Sequence, residues 1–312
     1  MLVTIFYTVM GGLLLYWGGE WLVSGASSFA LRRGVSKLTV GLTIVAFGTS
    51  APELFISSLA AIQNHASIAT GNVIGSNIAN IGLILGVSAL IYPPRVANSS
   101  VKFQMPFAVI VTVLFGILAL FGDLGRVDSI ILLAAFGVFV IYCLRTAQDN
   151  LADESNQEYK PLSSVSREYI YIIFGLVGLA GGSELFVKGA VEIATYLGVS
   201  EFFIGLSLVA LGTSLPELAT SIVAAAKKES EIVIGNIIGS CIFNILLVIG
   251  VVGLIRPIPQ PSVSFILDIA VMLGLTAMLY PMLASGRKLS RTEGLILIAV
   301  YVGYIIYISI RG

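Results

Sequence analysis

Charge is scarce in this chain. Asp, Glu, Lys and Arg make up 11% of its 312 residues, against about a quarter in an ordinary soluble domain. Histidine occurs once, as His65 in a short loop, which removes most imidazole catalysis and most zinc chemistry. Cysteine occurs twice, as Cys143 and Cys241, both in apolar runs and without metal-type spacing. A disulfide framework is therefore excluded. The 17 basic and 17 acidic residues cancel, so no basic surface offers itself to nucleic acid.

Apolar residues take the place of the missing charge. They make up 57% of the chain, and mean hydropathy is +1.00. A soluble enzyme, a disordered chain and a coiled coil are excluded. An all-α membrane protein remains, because a segment in hydrocarbon must satisfy its own backbone polar groups. At about 20 apolar residues per span, ten spans can be read, roughly at 2–24, 38–62, 67–92, 104–121, 127–146, 168–190, 202–226, 231–255, 263–283 and 290–310. The first has no basic leader and runs on past Gly18-Gly19 to Val23, so it reads as a retained helix. The sizeable polar stretch is 147–167, with Asp149, Asp153, Glu154, Glu158, Lys160 and Arg167. It divides the chain into 1–146 and 168–312 and is too short for a folded domain.

Counted by loop, thirteen Lys and Arg fall on one side of these spans, among them Arg32, Arg33, Lys37, Lys227 and Lys228. Four fall on the other: Arg126, Lys188, Arg256 and Arg311. The positive-inside rule makes the first set cytoplasmic. The linker is then cytoplasmic and both termini extracellular.

The chain also repeats itself. VGLTIVAFGTSAPELFISSLAA from Val40 and IATGNVIGSNIANIGLILGVSALI from Ile68 return as IGLSLVALGTSLPELATSIVAA from Ile204 and IVIGNIIGSCIFNILLVIGVVGLI from Ile232. Gly48 and Gly212, Asn72 and Asn236, and Glu20 and Glu184 are each 164 residues apart. With five spans per half, the second half enters the bilayer from the opposite side. The expected fold is ten transmembrane helices in two inverted-topology repeats of five, a transporter architecture.

The repeated residues are polar ones at membrane depth. GTSAPE at 48–53 and GTSLPE at 212–217 each place a proline mid-span. Proline should free the carbonyl of Gly48 or Gly212 and disturb Ala46, Thr49, Ala210 and Thr213. Glu53 and Glu217 follow each proline, and an ionisable residue at this depth is a functional hypothesis. The central spans hold no Lys or Arg to pair with them, so they need a cation or a proton. GNVIGSNIAN at 71–80 and GNIIGSCIFN at 235–244 present Asn72, Ser76 and Asn80, and Asn236, Ser240 and Asn244, at four-residue spacing on one helix face. For Asn72 and Asn236, packing by interhelical hydrogen bonds competes with ion contact. The donors are all oxygen, which suits Ca²⁺ or several Na⁺ rather than zinc or copper.

These four motifs, in this order and spacing, resemble the two α-repeats of the cation/Ca²⁺ exchanger superfamily, in particular its sodium/calcium exchangers of prokaryotic type without a regulatory domain. The resemblance implies a Na⁺/Ca²⁺ antiporter working by alternating access, with helices 1 and 6 sliding over the rest. It implies Glu53 and Glu217 as shared ligands of both ions, and Thr49 and Thr213 as carbonyl and hydroxyl donors beside Ser50 and Ser214. Ala46 and Ala210 would add carbonyls, Ser76 and Ser240 hydroxyls, and Asn80 and Asn244 would line the centre. Some relatives have Asp at the position of Asn244, so Asn here disfavours potassium dependence. Exchange of one Ca²⁺ for more than two Na⁺ against only two carboxylates would move charge. A Ca²⁺/H⁺ exchanger using the same glutamates and a potassium-dependent exchanger stay open as alternatives. A channel and an intramembrane enzyme are the other classes, disfavoured by the two-half arrangement and by the lack of a histidine beside either serine. No enzyme activity, cofactor, nucleic acid or protein partner is implied. The expected partners are Na⁺, Ca²⁺ and the lipid bilayer, and the expected place is a prokaryotic plasma membrane.

Among weaker features, Glu20 and Glu184 are expected near a pathway mouth or the interface. Asp268 is expected at the interface. Gly18, Gly19, Gly181 and Gly182 allow either close packing or sliding of their helices.

Overall fold

The structure, a computed structural model, describes residues 2–120, 122–147, 162–197, 210–259 and 263–311. The described residues are helical almost throughout. In chain order the helices are α1 (Leu2–Arg33), α2 (Lys37–Thr49), α3 (Ala51–Ile62), α4 (Ile68–Ile91), α5 (Ser100–Leu120) and α6 (Arg126–Arg145). They continue with α7 (Val165–Tyr196), α8 (Ala210–Thr213), α9 (Leu215–Ala226), α10 (Ser230–Ile255), α11 (Val263–Ala284) and α12 (Arg291–Arg311).

Among the described residues seven helices are long and apolar enough to cross a membrane, and α2 with α3 makes an eighth if the bent pair is one span. The protein is a multi-pass membrane protein. Of the remaining expected spans, the first corresponds to α1, a 32-residue helix that runs past the expected end to Arg33. The seventh corresponds to α8 and α9, and its first part, 202–209, lies outside the described residues. The linker expected at 147–167 lies mostly outside them as well. Its last three residues belong to α7, which starts at Val165 under a Ser164 cap whose hydroxyl accepts from the Arg167 N–H.

The prolines do not sit inside a continuous helix as expected. Ser50, at φ −85° and ψ 3°, separates α2 from α3, and Pro52 lies in the first turn of α3. Ser214, at φ −90° and ψ 6°, separates α8 from α9 in the same way, with Pro216 in the first turn. Proline is tolerated there because the first N–H groups of a helix have no intrahelical partner to lose. The axis turns by 43° between α2 and α3. Two further breaks match: α4 loosens into a π-helical stretch at Asn80–Leu85 and α10 at Asn244–Ile249. Such stretches shift the register of the helix face and concentrate at functional sites.

Helices α4 and α10 lie at the centre, with 72% and 83% of their apolar windows buried, while α6 and α12 are at the rim with 22% and 11%. On the centre pack α6 against α10, α12 against α4, and α5 against α11. Helices α1 and α7 run antiparallel along each other on glycines. A Cβ at Gly18 would lie 2.8 Å from the Leu179 nitrogen, and one at Gly175 2.7 Å from the Leu22 nitrogen. Only glycine permits backbones so close. The two ends of this pair are fastened alike: Thr4 donates to Glu192 at 2.7 Å, and Ser28 donates to Glu168 at 2.7 Å. At the second end Arg32 adds an ion pair to Glu168 at 2.5 Å.

Candidate cation site

Four helix breaks converge on the middle of the bundle. The bend at Ser50, the bend at Ser214 and the π-helical stretches opening at Asn80 and Asn244 bring Glu53, Glu217, Asn80 and Asn244 together, each 0% exposed. The hydrogen bonds cross between the halves. Ser50 Oγ donates to Glu217 Oε1 at 2.9 Å, and Ser214 Oγ donates to Glu53 Oε1 at 3.2 Å. Within each half, Ser76 donates to Glu53 Oε1 and Ser240 to Glu217 Oε1, both at 3.4 Å. Thr49 Oγ1 donates to Asn236 Oδ1 at 3.1 Å and Thr213 Oγ1 to Asn72 Oδ1 at 3.2 Å. Of the twelve residues expected to hold ions, ten thus have side chains in one connected polar cluster or bordering it. The other two, Ala46 and Ala210, were expected to act through backbone carbonyls.

Ala46 O accepts the Ser50 N–H at 3.0 Å and faces the Thr49 hydroxyl at 3.4 Å, so the bend does not free it. The proline removes the N–H that would reach Gly48, two residues further on. On the other side the Gly212 carbonyl accepts the Ser183 hydroxyl of α7 at 2.5 Å. Ala210 opens α8.

Asn72 and Asn236 are held by packing. Asn72 Nδ2 donates to Ser57 at 3.1 Å and Asn236 Nδ2 to Ser221 at 3.0 Å. Reading the sequence missed Ser57, Ser221 and Ser183. Ser57 and Ser221 carried a signal, since each lies four residues past its glutamate and they differ by 164. Ser183 carried none, because its counterpart is Gly19.

Several buried atoms have no partner: Oε2 of Glu53, Oε2 of Glu217, both amide atoms of Asn80 and Oδ1 of Asn244. Among the described residues neither glutamate has an ion pair. A buried polar atom without a partner costs about 1–3 kcal/mol, more when charged. Two carboxylate oxygens and two amide oxygens, all buried and unpartnered, form a set that a hard cation would satisfy.

Other charged residues lie elsewhere. Glu20 pairs with Lys227 at 2.6 Å, where Lys227 also donates to Ser24 at 2.7 Å. Glu184 is exposed on α7. Lys37 pairs with Glu229 at 2.8 Å. Asp268, near the start of α11, is buried, 5% exposed.

Known proteins resemble this chain along nearly its whole length. A family model described as sodium/calcium exchanger protein matches residues 3–145 and 168–310. CaxA of Alkalimonas amylolytica, named as a candidate antiporter, is 38% identical over 97% of this chain and 98% of its own. The sodium/calcium exchanger MaX1 of Methanosarcina acetivorans is 29% identical over 96% of each. The solved sodium-calcium exchanger NCX_Mj, soaked with Na⁺ and Sr²⁺, superimposes with a TM-score of 0.86 at 33% identity, over 98% of each chain. With the family model matched along nearly the whole chain and the two bent helices meeting at two buried glutamates, this membrane protein belongs to the sodium/calcium exchanger family.

Proposed function

We propose that this chain is an electrogenic Na⁺/Ca²⁺ antiporter that works by alternating access. The observation that carries the reading is the pair of buried glutamates, each with one oxygen tied by hydroxyls from both halves and one oxygen unpartnered. In this reading Ca²⁺ sits between Glu53 and Glu217, whose two charges balance it. Asn80, Asn244, Thr49, Thr213, Ser50 and Ser214 complete a shell of six to eight oxygens. Na⁺ ions take the same carboxylates from either side, with Ser76, Ser240 and the carbonyls of Ala46 and Ala210 as flanking donors. Ala46 can do so through its carbonyl's second lone pair. Because Na⁺ and Ca²⁺ compete for the same two carboxylates, one must leave before the other is held, which couples their movements. More than two Na⁺ per Ca²⁺ moves net charge across the membrane.

The architecture in this proposal is ten spans in two inverted five-helix repeats, 1–146 and 168–312, joined by a cytoplasmic linker at 147–167, with both termini outside. The antiparallel run of α1 along α7 supports the inversion, since these are the first helices of each half. Their glycine contact makes them one body able to move over the remaining helices.

The test is Ca²⁺ uptake into proteoliposomes loaded with Na⁺ and diluted into Na⁺-free buffer. Uptake that needs internal Na⁺ and responds to a valinomycin-set potential is the expected result. Uptake driven by a proton gradient and indifferent to Na⁺ would make the chain a Ca²⁺/H⁺ exchanger.

A further inference from the structure

The two halves differ in one side chain next to the proposed site. Asn77 on α4 corresponds, 164 residues on, to Cys241 on α10. Asn77 is 1% exposed. Its Nδ2 donates to the backbone carbonyl of Cys241 at 3.3 Å and faces the Met272 thioether of α11 at 3.6 Å. Its Oδ1 accepts from Asn244 Nδ2 at 3.1 Å.

A backbone carbonyl can only accept. It therefore decides which way the Asn77 amide lies, nitrogen toward Cys241 and oxygen toward Asn244. That oxygen can only accept in its turn, so Asn244 must offer it nitrogen. The Asn244 Oδ1 is then left on the other side, buried and unpartnered.

We propose that Asn77 is a positioning residue for cation binding: it relays the fixed direction of the Cys241 carbonyl to Asn244, so that Asn244 meets the cation with oxygen rather than nitrogen. The proposal rests on the reading of Asn244 as a ligand. An amide nitrogen aimed at a cation repels it, so an Asn244 that flips spends part of its time in a non-binding pose.

The test reads Ca²⁺ binding to the purified protein by titration calorimetry, alongside KM and maximal rate in proteoliposomes. Asn77→Ala should raise Kd and KM about tenfold while the maximal rate stays within about twofold, the size of one lost oriented hydrogen bond. The same substitution is then made on Asn244→Asp. A carboxylate presents oxygen whichever way it turns, so Asn77→Ala should change Kd by less than about twofold in that background. An equal loss in both backgrounds, or none in either, overturns the relay. If Asn77→Ala does not fold, Asn77→Leu and Asn77→Asp replace it. Leu removes the acceptor and should show the loss; Asp keeps it and should bind like the unaltered chain, and the reverse pattern overturns the proposal. Unaltered binding by Glu53→Gln removes the site itself, a failure distinct from that of the relay alone.

Discussion

The central helices of the two halves, α2 to α4 and α8 to α10, hold the same polar atoms in the same relations. Ser50 reaches Glu217 as Ser214 reaches Glu53, Ser76 serves Glu53 as Ser240 serves Glu217, and Thr49 and Thr213 reach across to Asn236 and Asn72. One layer further out the correspondence holds at Ser57 and Ser221, which keep Asn72 and Asn236, and fails at three other places. Ser183 caps the Gly212 carbonyl where its counterpart is Gly19, Asn77 holds Asn244 where its counterpart is Cys241, and Lys227 binds Glu20 where its counterpart is Gln63. The groups that would touch an ion are thus duplicated, while Ser183, Asn77 and Lys227, which hold their neighbours from further out, are not.

The sharpest way to break the comparison is at its centre. Glu53→Gln and Glu217→Gln should each abolish exchange in the proteoliposome uptake assay, because each carboxylate is asked to bind both ions. Near-normal flux in either variant would show that the two glutamates are not equivalent. The next largest effect concerns the antiparallel pair. Gly18→Ala and Gly175→Ala should each cost about 1–3 kcal/mol through overpacking, read as a lower thermal midpoint in detergent. Gly181→Ala, where a Cβ meets nothing within 4 Å, should leave the midpoint unchanged.

The crossed serines give a finer comparison. Ser50→Ala and Ser214→Ala each leave a buried carboxylate oxygen with one donor fewer. Both should weaken Ca²⁺ binding by a similar factor of about five, measured by titration. A loss confined to one serine would place the working site in one half. The smallest effect is at the anchor. Glu20→Gln breaks an ion pair whose side chains are 28% and 24% exposed, worth about 0.2–1 kcal/mol, whereas Glu184→Gln should not move the thermal midpoint at all.

Much of the site was legible in the sequence because duplication writes each polar residue twice. Glu53 and Glu217 stood out as charges at membrane depth, and Ser76, Asn80, Ser240 and Asn244 as a stripe at helical spacing. What could not be read is how the chain breaks around them. A proline inside an apolar run signals either a kinked helix or the first turn of a new one, and the choice depends on whether the residue two positions earlier leaves helical geometry, as Ser50 and Ser214 do. The π-helical stretches at Asn80 and Asn244 follow an ordinary apolar pattern and leave no local mark. Ser183, Asn77 and Lys227 were invisible for a different reason: each acts without a partner in the other repeat, so a search for repetition passes over it. The helices themselves were found by hydropathy, and their edges were missed by several residues where α1 and α7 run on beyond the apolar core as polar, tethered ends.

The crossing of the serines carries a consequence about ancestry. A glutamate of one half is served by a hydroxyl of the other, so one half alone would own an incomplete cage. Two identical five-helix chains, meeting head to tail, could have built this cage in full. They could not have built what surrounds it, because identical chains must place the same residue at both positions. Asparagine at 77 with cysteine at 241, or lysine at 227 with glutamine at 63, needs two halves whose sequences differ.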